Sequence, residues 1–430
     1  MERHYKDSGV AWATQIPSDW KVIRGKNLLK LMNRPVRETD DVVTCFRDGE
    51  VILRSERRTE GFTMSDKEIG YQGINKGDIV IHGMDGFAGS MGVSKSTGKG
   101  SPVLVVCNPK ENDDSRYIIY YLRALAINNV FVALATGIRE RSCDLRWNKI
   151  SELPFIRPKA DEQKRIADFI DAKIEEIDAL ITLQERMIAQ LTDYKQSVIT
   201  ETVTKGLNSD AQLVPSGIDW IGNVPQGWSI VKLSLLTTKI GSGSTPTGGA
   251  NVYVNEGVKF LRSQNVRFEG LDLSDVAHIT DGIDEEMRGT RVLPGDVLLN
   301  ITGGSIGRCY YVDSSLGRAN VNQHVSIIRP SKIETKYLKY YLQSFAGQNQ
   351  VSLLQTGGNR EGLSAAALSN FKILYPSKDE QHAIAEYLDA KCDDIDKLIE
   401  TKRLKIETLK EYKKSIIYEA VTGKTDLLES

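Results

Sequence analysis

An arginine-rich run, TCFRDGEVILRSERRTEG, gathers Arg47, Arg54, Arg57 and Arg58 within twelve positions. Guanidinium groups pair with phosphates and make bidentate contacts to guanine edges. Such a run could therefore hold nucleic acid, although any one arginine is equally explained as a solvated surface charge. A second polar set lies further along the chain. Lys239 and the loop GSGSTPTGG (241–249) offer ammonium, hydroxyl and backbone donors for a phosphate, and Arg262, Gln264 and Asn265 are residue types that read base edges. By residue type and loop position, the candidate DNA contacts are Arg54, Arg57, Arg58, Ser94, Lys95 and Arg139 in the first half. In the second half they are Ser242, Thr245, Arg262, Gln264, Asn265, Asn322, Gln323 and Arg360.

Catalytic constellations are not found. GSGSTPTGG lacks the Lys-Ser/Thr ending of a nucleotide-binding P-loop, and TGGSIG (302–307) is not a dinucleotide fingerprint. There is no HExxH, no GxSxG, no Cys/His ligand cluster and no Asn/Asp-Pro-Pro-aromatic tetrapeptide of an amino methyltransferase. His82 and His324 sit in or beside strand-like runs and read as structural. The sequence predicts no catalytic residue and no metal site.

The elements that must carry these side chains come from a chain of 430 residues, 40% hydrophobic, with 56 basic and 57 acidic residues. That length allows two to four globular units, and the near-neutral balance names no partner. Taken by segment, residues 1–157 hold 24 basic and 20 acidic residues and 208–375 hold 15 and 14, while 158–207 and 376–430 are each net −3. Five cysteines without a CxxC pair suggest reduced thiols. No apolar run approaches a membrane span and the N-terminus has no apolar signal core, so a soluble, cytoplasmic protein is expected.

The chain is a tandem repeat. PKADEQKRIADFIDAKIEEIDALI from Pro158 reappears from Pro376 as PSKDEQHAIAEYLDAKCDDIDKLI, an offset of 218. Tyr194-Lys195 matches Tyr412-Lys413, and Gly77-Asp78 matches Gly295-Asp296. Ahead of each copy, Ser8-Gly9, Trp12, Pro17 and Trp20 correspond to Ser216-Gly217, Trp220, Pro225 and Trp228 at an offset of 208. A duplicated framework around dissimilar fillings implies two copies of one architecture with two specificities.

Both Pro158 and Pro376 lead into long helical patterns. Ile166, Ile170, Ile174, Ile177, Ile181, Ile188, Leu191 and Val198 recur at spacings of three, four and seven, and no Gly or Pro interrupts 161–204. The second copy repeats the stripe through Leu388, Cys392, Ile395, Ile399, Ile406, Leu409 and Ile416. Two narrow stripes on helices of ~65 Å, at 1.5 Å per residue, are expected to pair. The residues assigned to that pairing are Ile170, Ile177, Gln184, Leu191, Leu388, Ile395, Lys402 and Leu409, with Gln184 and Lys195, like Lys402 and Lys413, breaking the stripe in a way that can fix register. The plainer alternative is that each helix packs only on its own domain. Between the helices, short β-like runs (Asp78 to His82, Val103 to Cys107, Asp296 to Ile301) alternate with Gly-rich turns and short helical patterns (Tyr117 to Ala126, Tyr337 to Phe345). The fold class is therefore α+β: two mixed α/β domains in tandem pseudo-repeat, separated and followed by long helices that pair as an antiparallel coiled coil. The boundaries read as 1–157 and 208–375 for the globular domains, and 158–207 and 376–430 for the helical regions.

The DEQ-initiated helices at 161–163 and 379–381, continuing as IAxFIDAK or IAxYLDAK, resemble the conserved regions of the specificity subunit (HsdS family) of Type I restriction-modification systems. SGIDWIGNVPQGW (216–228), the GSTP loop, LPGDVLLNITGGSIG and ANVNQH (319–324) are similar to that family too. In the first half the element reads SGVAWATQIPSDW, with Ala13 taken to replace its second glycine. The resemblance spans essentially the whole chain.

The resemblance implies that each globular domain is a target recognition domain reading one half of an asymmetric, bipartite site in double-stranded DNA, with half-sites about a helical turn, ~34 Å, apart. The paired helices would dock two methyltransferase (modification) subunits together with restriction/translocase subunits. By that reading the chain is non-catalytic and holds no cofactor, while S-adenosylmethionine, ATP and Mg2+ belong to the partners of a prokaryotic cytoplasmic complex. Three alternatives stand beside it: a self-contained nuclease or methyltransferase, a coiled-coil scaffold with protein- or glycan-binding heads, and the specificity subunit of a methylation-only complex.

Overall fold

The computed structural model describes residues 3–57, 69–133, 145–354 and 362–425. The chain divides into two compact units, one of residues 1–184 with 404–430 and the other of 185–403. Each unit therefore takes helical segments from both repeats.

The first unit is built on a four-stranded antiparallel sheet of β1 (Leu29–Leu31), β2 (Ile79–His82), β3 (Met91–Val93) and β4 (Leu104–Pro109), in the order β1-β4-β2-β3. The β-branched run Ile79-Val80-Ile81 is buried on both faces, which is why it reads as continuous rather than alternating. Helix α1 (Ser115–Ile127) begins where the Asp114 carboxylate accepts the backbone N–H groups of Arg116 (2.7 Å) and Tyr117 (3.3 Å). It lays Tyr117 and Tyr121 into the core, where the indole N–H of Trp12 donates to Tyr121 Oη at 3.0 Å.

The second unit repeats the plan with β5 (Thr237–Ser242), β6 (Val297–Asn300), β7 (Cys309–Tyr311) and β8 (Val325–Pro330), in the order β5-β8-β6-β7. A separate three-stranded sheet pairs Val258–Leu261 with Ala277–Ile279 and, in parallel, with Ala319–Val321. Helix α2 (Thr335–Gln343) takes the place of α1, and Tyr337, Tyr340 and Tyr341 stand where Tyr117, Tyr120 and Tyr121 stand in the first unit. Sequence inspection passed over this Tyr-x-x-Tyr-Tyr repeat.

The central long helix runs Ala160–Lys205 and the C-terminal one Lys378–Val421, and they pair as an antiparallel coiled coil. Lys195 holds Asp396 at 2.6 Å in the second unit, and Lys413 holds Asp178 at 2.7 Å in the first. The helix ends are built into the domain cores: Ile166, Ile170, Ile417 and Val421 in the first unit, and Ile199, Val203, Ile384 and Leu388 in the second. Ile170 and Leu388 thus bind helix to domain. Ile177, Gln184 and Ile395 are buried, and Leu191, Lys402 and Leu409 are half-buried.

The repeated motifs now have physical roles. Trp20 is fully buried and its indole N–H donates to Glu162 at 2.9 Å; Trp228 does the same to Glu380 at 3.1 Å. Gln163 donates to the Pro158 carbonyl (3.0 Å) and accepts the backbone N–H of Asp114 (3.0 Å), while Gln381 donates to Pro376 (2.9 Å) and accepts that of Glu334 (2.9 Å). The Asp-Glu-Gln motif thus ties the long helix to the Trp turn and to the cap of the short helix. The Gly-Asp aspartates are also structural: Asp78 is buried against Arg34, and Asp296 against Arg329 at 2.7 and 2.8 Å. Counting from the paired tryptophans corrects one detail, since Thr14, not Ala13, stands opposite Gly222, whose φ is +74°.

Candidate nucleic-acid interface

In the second unit four polar loops meet at one end of the sheet. Ser242 closes β5 opposite Ser326, and Asn300 closes β6 opposite Val325, so the segments that follow or precede these residues emerge together. They are 243–249, 301–307 and 322–324, and Asn300 ties to them the turn 262–265, which follows the Val258–Leu261 strand of the separate sheet. Gly243 lets the first pass under the third, because a Cβ there would lie 2.0 Å from the Val321 carbonyl oxygen. Thr245 donates to Gln323, and Thr302 Oγ1 lies 2.6 Å from His324 Nδ1, which fixes the ring as a structural element of the turn. Asn300, fully buried, donates from Nδ2 to the Ser263 carbonyl (2.7 Å) and reaches Ser305 Oγ (3.2 Å), pinning two loops to the strand end.

The predicted residues of this half divide by exposure. Ser242, Thr245, Gln264 and Gln323 are exposed on the loop cluster. Arg262 is half-buried and donates to Asp275 through its carbonyl (2.9 Å) and carboxylate (3.3 Å), and Gln264 shares that carboxylate at 2.7 Å. Asn265 is buried and shapes the turn, accepting from the Arg262 N–H (2.8 Å) and donating to the Asp272 carbonyl (2.8 Å). Asn322 is buried too, and its side chain accepts the His324 N–H at 3.1 Å. Lys239 is half-buried: its ammonium donates to the Gly289 carbonyl, and partial burial lowers its pKa. Arg360 lies outside the described residues.

In the first unit the hairpin Val43–Cys45 with Val51–Leu53 runs beside the end of β3, where the Lys95 N–H donates to the Val51 carbonyl at 2.9 Å. Its turn supplies Asp48 and Glu50, which take Arg57 (2.6 and 3.3 Å) and Lys95 (3.0 Å from Glu50). Arg57 also lies over the Phe46 ring at 4.3 Å, and its hydrogen bond holds the Asp48 carboxyl below the usual carboxylate range. Arg54 donates to Thr44 Oγ1 at 3.3 Å, while Ser94 is buried and donates to the Ser96 carbonyl at 2.7 Å. Arg58 and Arg139 lie outside the described residues. The acidic residues that neutralise these cations, Asp48, Glu50 and Asp275, were not singled out from sequence. Their signal was proximity to the basic run (Asp48 and Glu50) and nothing local at all (Asp275).

Among the described residues no group of three or more His, Cys, Asp or Glu is placed to hold a metal ion, and no helix is long and apolar enough to cross a membrane. The arrangement offers hydrogen-bonding loops and ion pairs.

The chain is similar to several known proteins. The family model described as Type I restriction modification DNA specificity domain matches residues 225–408. The specificity subunit of the Type I restriction enzyme MjaVIII of Methanocaldococcus jannaschii is 26% identical over 422 residues, covering 95% of this chain and 94% of that protein. The EcoKI specificity subunit of Escherichia coli is 24% identical over 215 residues, 47% of this chain and 44% of its own. A chain from a structure of complex assembly and conformational transition in a type I R-M system superposes with a TM-score of 0.70 at 16% identity, covering 95% of this chain and 99% of that one. The HsdS subunit of Thermoanaerobacter tengcongensis gives a TM-score of 0.55 at 17% identity, with 95% and 98% covered.

Proposed function

We propose that this chain, similar along its length to Type I restriction-modification specificity subunits, is such a subunit and supplies the address for the complex, each unit reading one half of an asymmetric, split DNA site. The observation that carries this reading is the second unit's loop cluster: four segments distant in sequence, anchored by buried Asn300 and Gly243, present Ser242, Thr245, Gln264 and Gln323 outward at one sheet end. Rigid anchoring with exposed amides and hydroxyls is what base-edge readout requires. The first unit has the same framework but offers an arginine and lysine set instead, which supports two different half-sites. Arg57 and Lys95 in the first unit and Arg262 in the second already sit on carboxylates. DNA phosphates would displace Asp48, Glu50 or Asp275, so binding exchanges one ion pair for another and depends on salt.

The helices support docking of two copies of one partner. Leu180 (37% exposed) and Tyr412 (54%) stand out from the first unit, and Leu398 (52%) and Tyr194 (49%) from the second; by the 218-residue offset they are the same pair twice. We assign these patches to two modification subunits. Base flipping and methyl transfer from S-adenosylmethionine to adenine belong to those partners, and ATP- and Mg2+-dependent translocation and cleavage to a restriction subunit.

The test is to co-express the chain with its methyltransferase partner in a host lacking adenine methylation and to map modified adenines by single-molecule sequencing. A split motif modified on both strands is the expected outcome. A contiguous motif would overturn the two-reader reading, and an unmodified genome with both proteins expressed would overturn the function.

A further inference from the structure

The first unit contains a half-open cavity of about 620 Å³ between the loop 86–89, helix α1 and both long-helix segments of that unit. Phe87, Ala126, Ile127, Ile181 and Ile417 give it an apolar side. Its charged lining comprises five cations, Arg47, Arg123, Lys410, Lys413 and Lys414, against three carboxylates, Asp178, Glu407 and Glu411. All three carboxylates are engaged: Asp178 by Lys413 (2.7 Å), Glu407 by Lys410 (2.8 Å) and Glu411 by Lys414 (2.6 Å). Arg47 is held by Asp85 at 3.2 Å, outside the cavity lining. Arg123 has no hydrogen bond or ion pair among the described residues, although its guanidinium packs against the Gly49 turn, where a Cβ would lie 2.1 Å from Nη1. Burial holds that guanidinium below the usual arginine range, and the neighbouring Tyr120, Asp48 and Cys45 offset this only in part. A mostly buried cation that has no ion pair among the described residues, its nearby Asp48 carboxylate being taken by Arg57, is costly to keep.

The repeat supplies an internal control. Where the first unit has Arg123, the second has Gln343, by the alignment of RYIIYYLR with KYLKYYLQ. Where the first has Lys414, the second has Gln196, by the 218-residue offset. The Gln343 side chain donates within its own unit to the carbonyls of Phe268 (2.9 Å) and Cys309 (3.0 Å), and Gln196 Nε2 donates to the Gln343 backbone carbonyl at 2.8 Å. The shared framework therefore does not need a cation at this place.

We propose that this cavity is an anion site for a small phosphorylated molecule of nucleotide size, its phosphate on Arg123 with Lys413 and Lys414 around it and its apolar body against Phe87, Ile127 and Ile417. The volume suits a small ligand. The planar guanidinium fork favours phosphate over a point-like anion. The ion pairs Lys410–Glu407 and Lys414–Glu411 lie along the exposed helix face and cost little to re-aim.

The test is isothermal titration of the full chain with inorganic phosphate and with adenosine monophosphate at fixed ionic strength, chloride serving as the control. Saturable binding of at least one probe is expected, weakened at least tenfold in Arg123→Gln and severalfold in Lys414→Gln. Both variants install residues that the second unit already carries in this framework, and each is checked for folding by its circular dichroism and melting midpoint. Absence of saturable binding by either probe, or equal binding by Arg123→Gln, would overturn the proposal. If Arg123→Gln instead impairs only association with the methyltransferase subunit, the small-molecule site is overturned in favour of a partner's carboxylate.

Discussion

Lys195 reaches across the helix pair to Asp396 at 2.6 Å, and its repeat counterpart Lys413 reaches Asp178 at 2.7 Å. One residue pair is thus used twice, once in each unit, with the lysine of one repeat holding the aspartate of the other. Lys195 is only 19% exposed, which lifts the pair above an ordinary surface contact. A double-mutant cycle on Lys195→Met and Asp396→Asn is expected to give a coupling of about 0.5 to 1 kcal/mol that declines with salt. A coupling of zero in denaturant unfolding would remove this pair from the forces that set helix register.

The buried Trp20–Glu162 bond should matter more. Trp20→Phe keeps much of the apolar volume but takes away a donor from a carboxylate that is itself buried and otherwise held by Arg3. Loss of about 1 to 3 kcal/mol is expected from the unpaired acceptor. Trp228→Phe should cost less, because Glu380 is half-exposed and water can replace the indole. Chemical denaturation of the two variants checks the order, and equal losses would contradict it.

Lys339 predicts a pH dependence. Its side chain is 5% exposed among the rings of Tyr310, Tyr311 and Tyr340, with Asp389 at 3.8 Å, and burial lowers its pKa to about 8 against the partial support of Asp389, Cys392 and Cys309 and with Lys195 opposing. The folded state therefore releases this proton sooner than the unfolded chain. Between pH 8 and lysine's ordinary 10.5 the unfolded state binds more protons, so this group's contribution to stability rises with pH. Below about 8 both states are protonated and the cost is complete. The corresponding residue in the first unit is Ile119. Lys339→Ile should raise stability at pH 7 by up to about 3 kcal/mol, and its advantage over wild type should be constant below pH 8 and shrink as pH rises from there toward lysine's ordinary range. A variant whose profile runs parallel to wild type would refute the assignment.

The two proposed readers should be separable. Gln323→Ala is expected to relax one base position in one half of the methylated motif, at about 1 to 3 kcal/mol, while Arg57→Ala acts on the other half. Uniform weakening on all sequences would instead mark a phosphate contact. Methylome mapping of each variant reads the outcome, and a change in both halves from one substitution would argue against independent readers.

Several elements were legible from sequence because they depend on local pattern. The sheet strands at 79–82 and 297–300, and long helices over 160–205 and 378–421, fall where β-branched runs and uninterrupted 3.6-period stripes put them. The interface was legible only as residue types. Ser94, Asn265 and Asn322 look like contacts in the sequence, but their short polar side chains bond the neighbouring backbone and shape turns. Nothing local distinguishes that use from display to solvent.

The sequence by itself determined that the chain is duplicated, which residues recur at 218, and which family the recurrent motifs resemble, because duplication and periodicity are one-dimensional properties. Only the tertiary structure decided what the recurrent residues do. That Glu162 holds Trp20, that Asp78 holds Arg34 and that Arg123 has no ion pair among the described residues all depend on distances between segments far apart in sequence. Those distances are set by how apolar strands and helix ends close into each core, and side-chain charge then settles into whatever neighbours that packing provides.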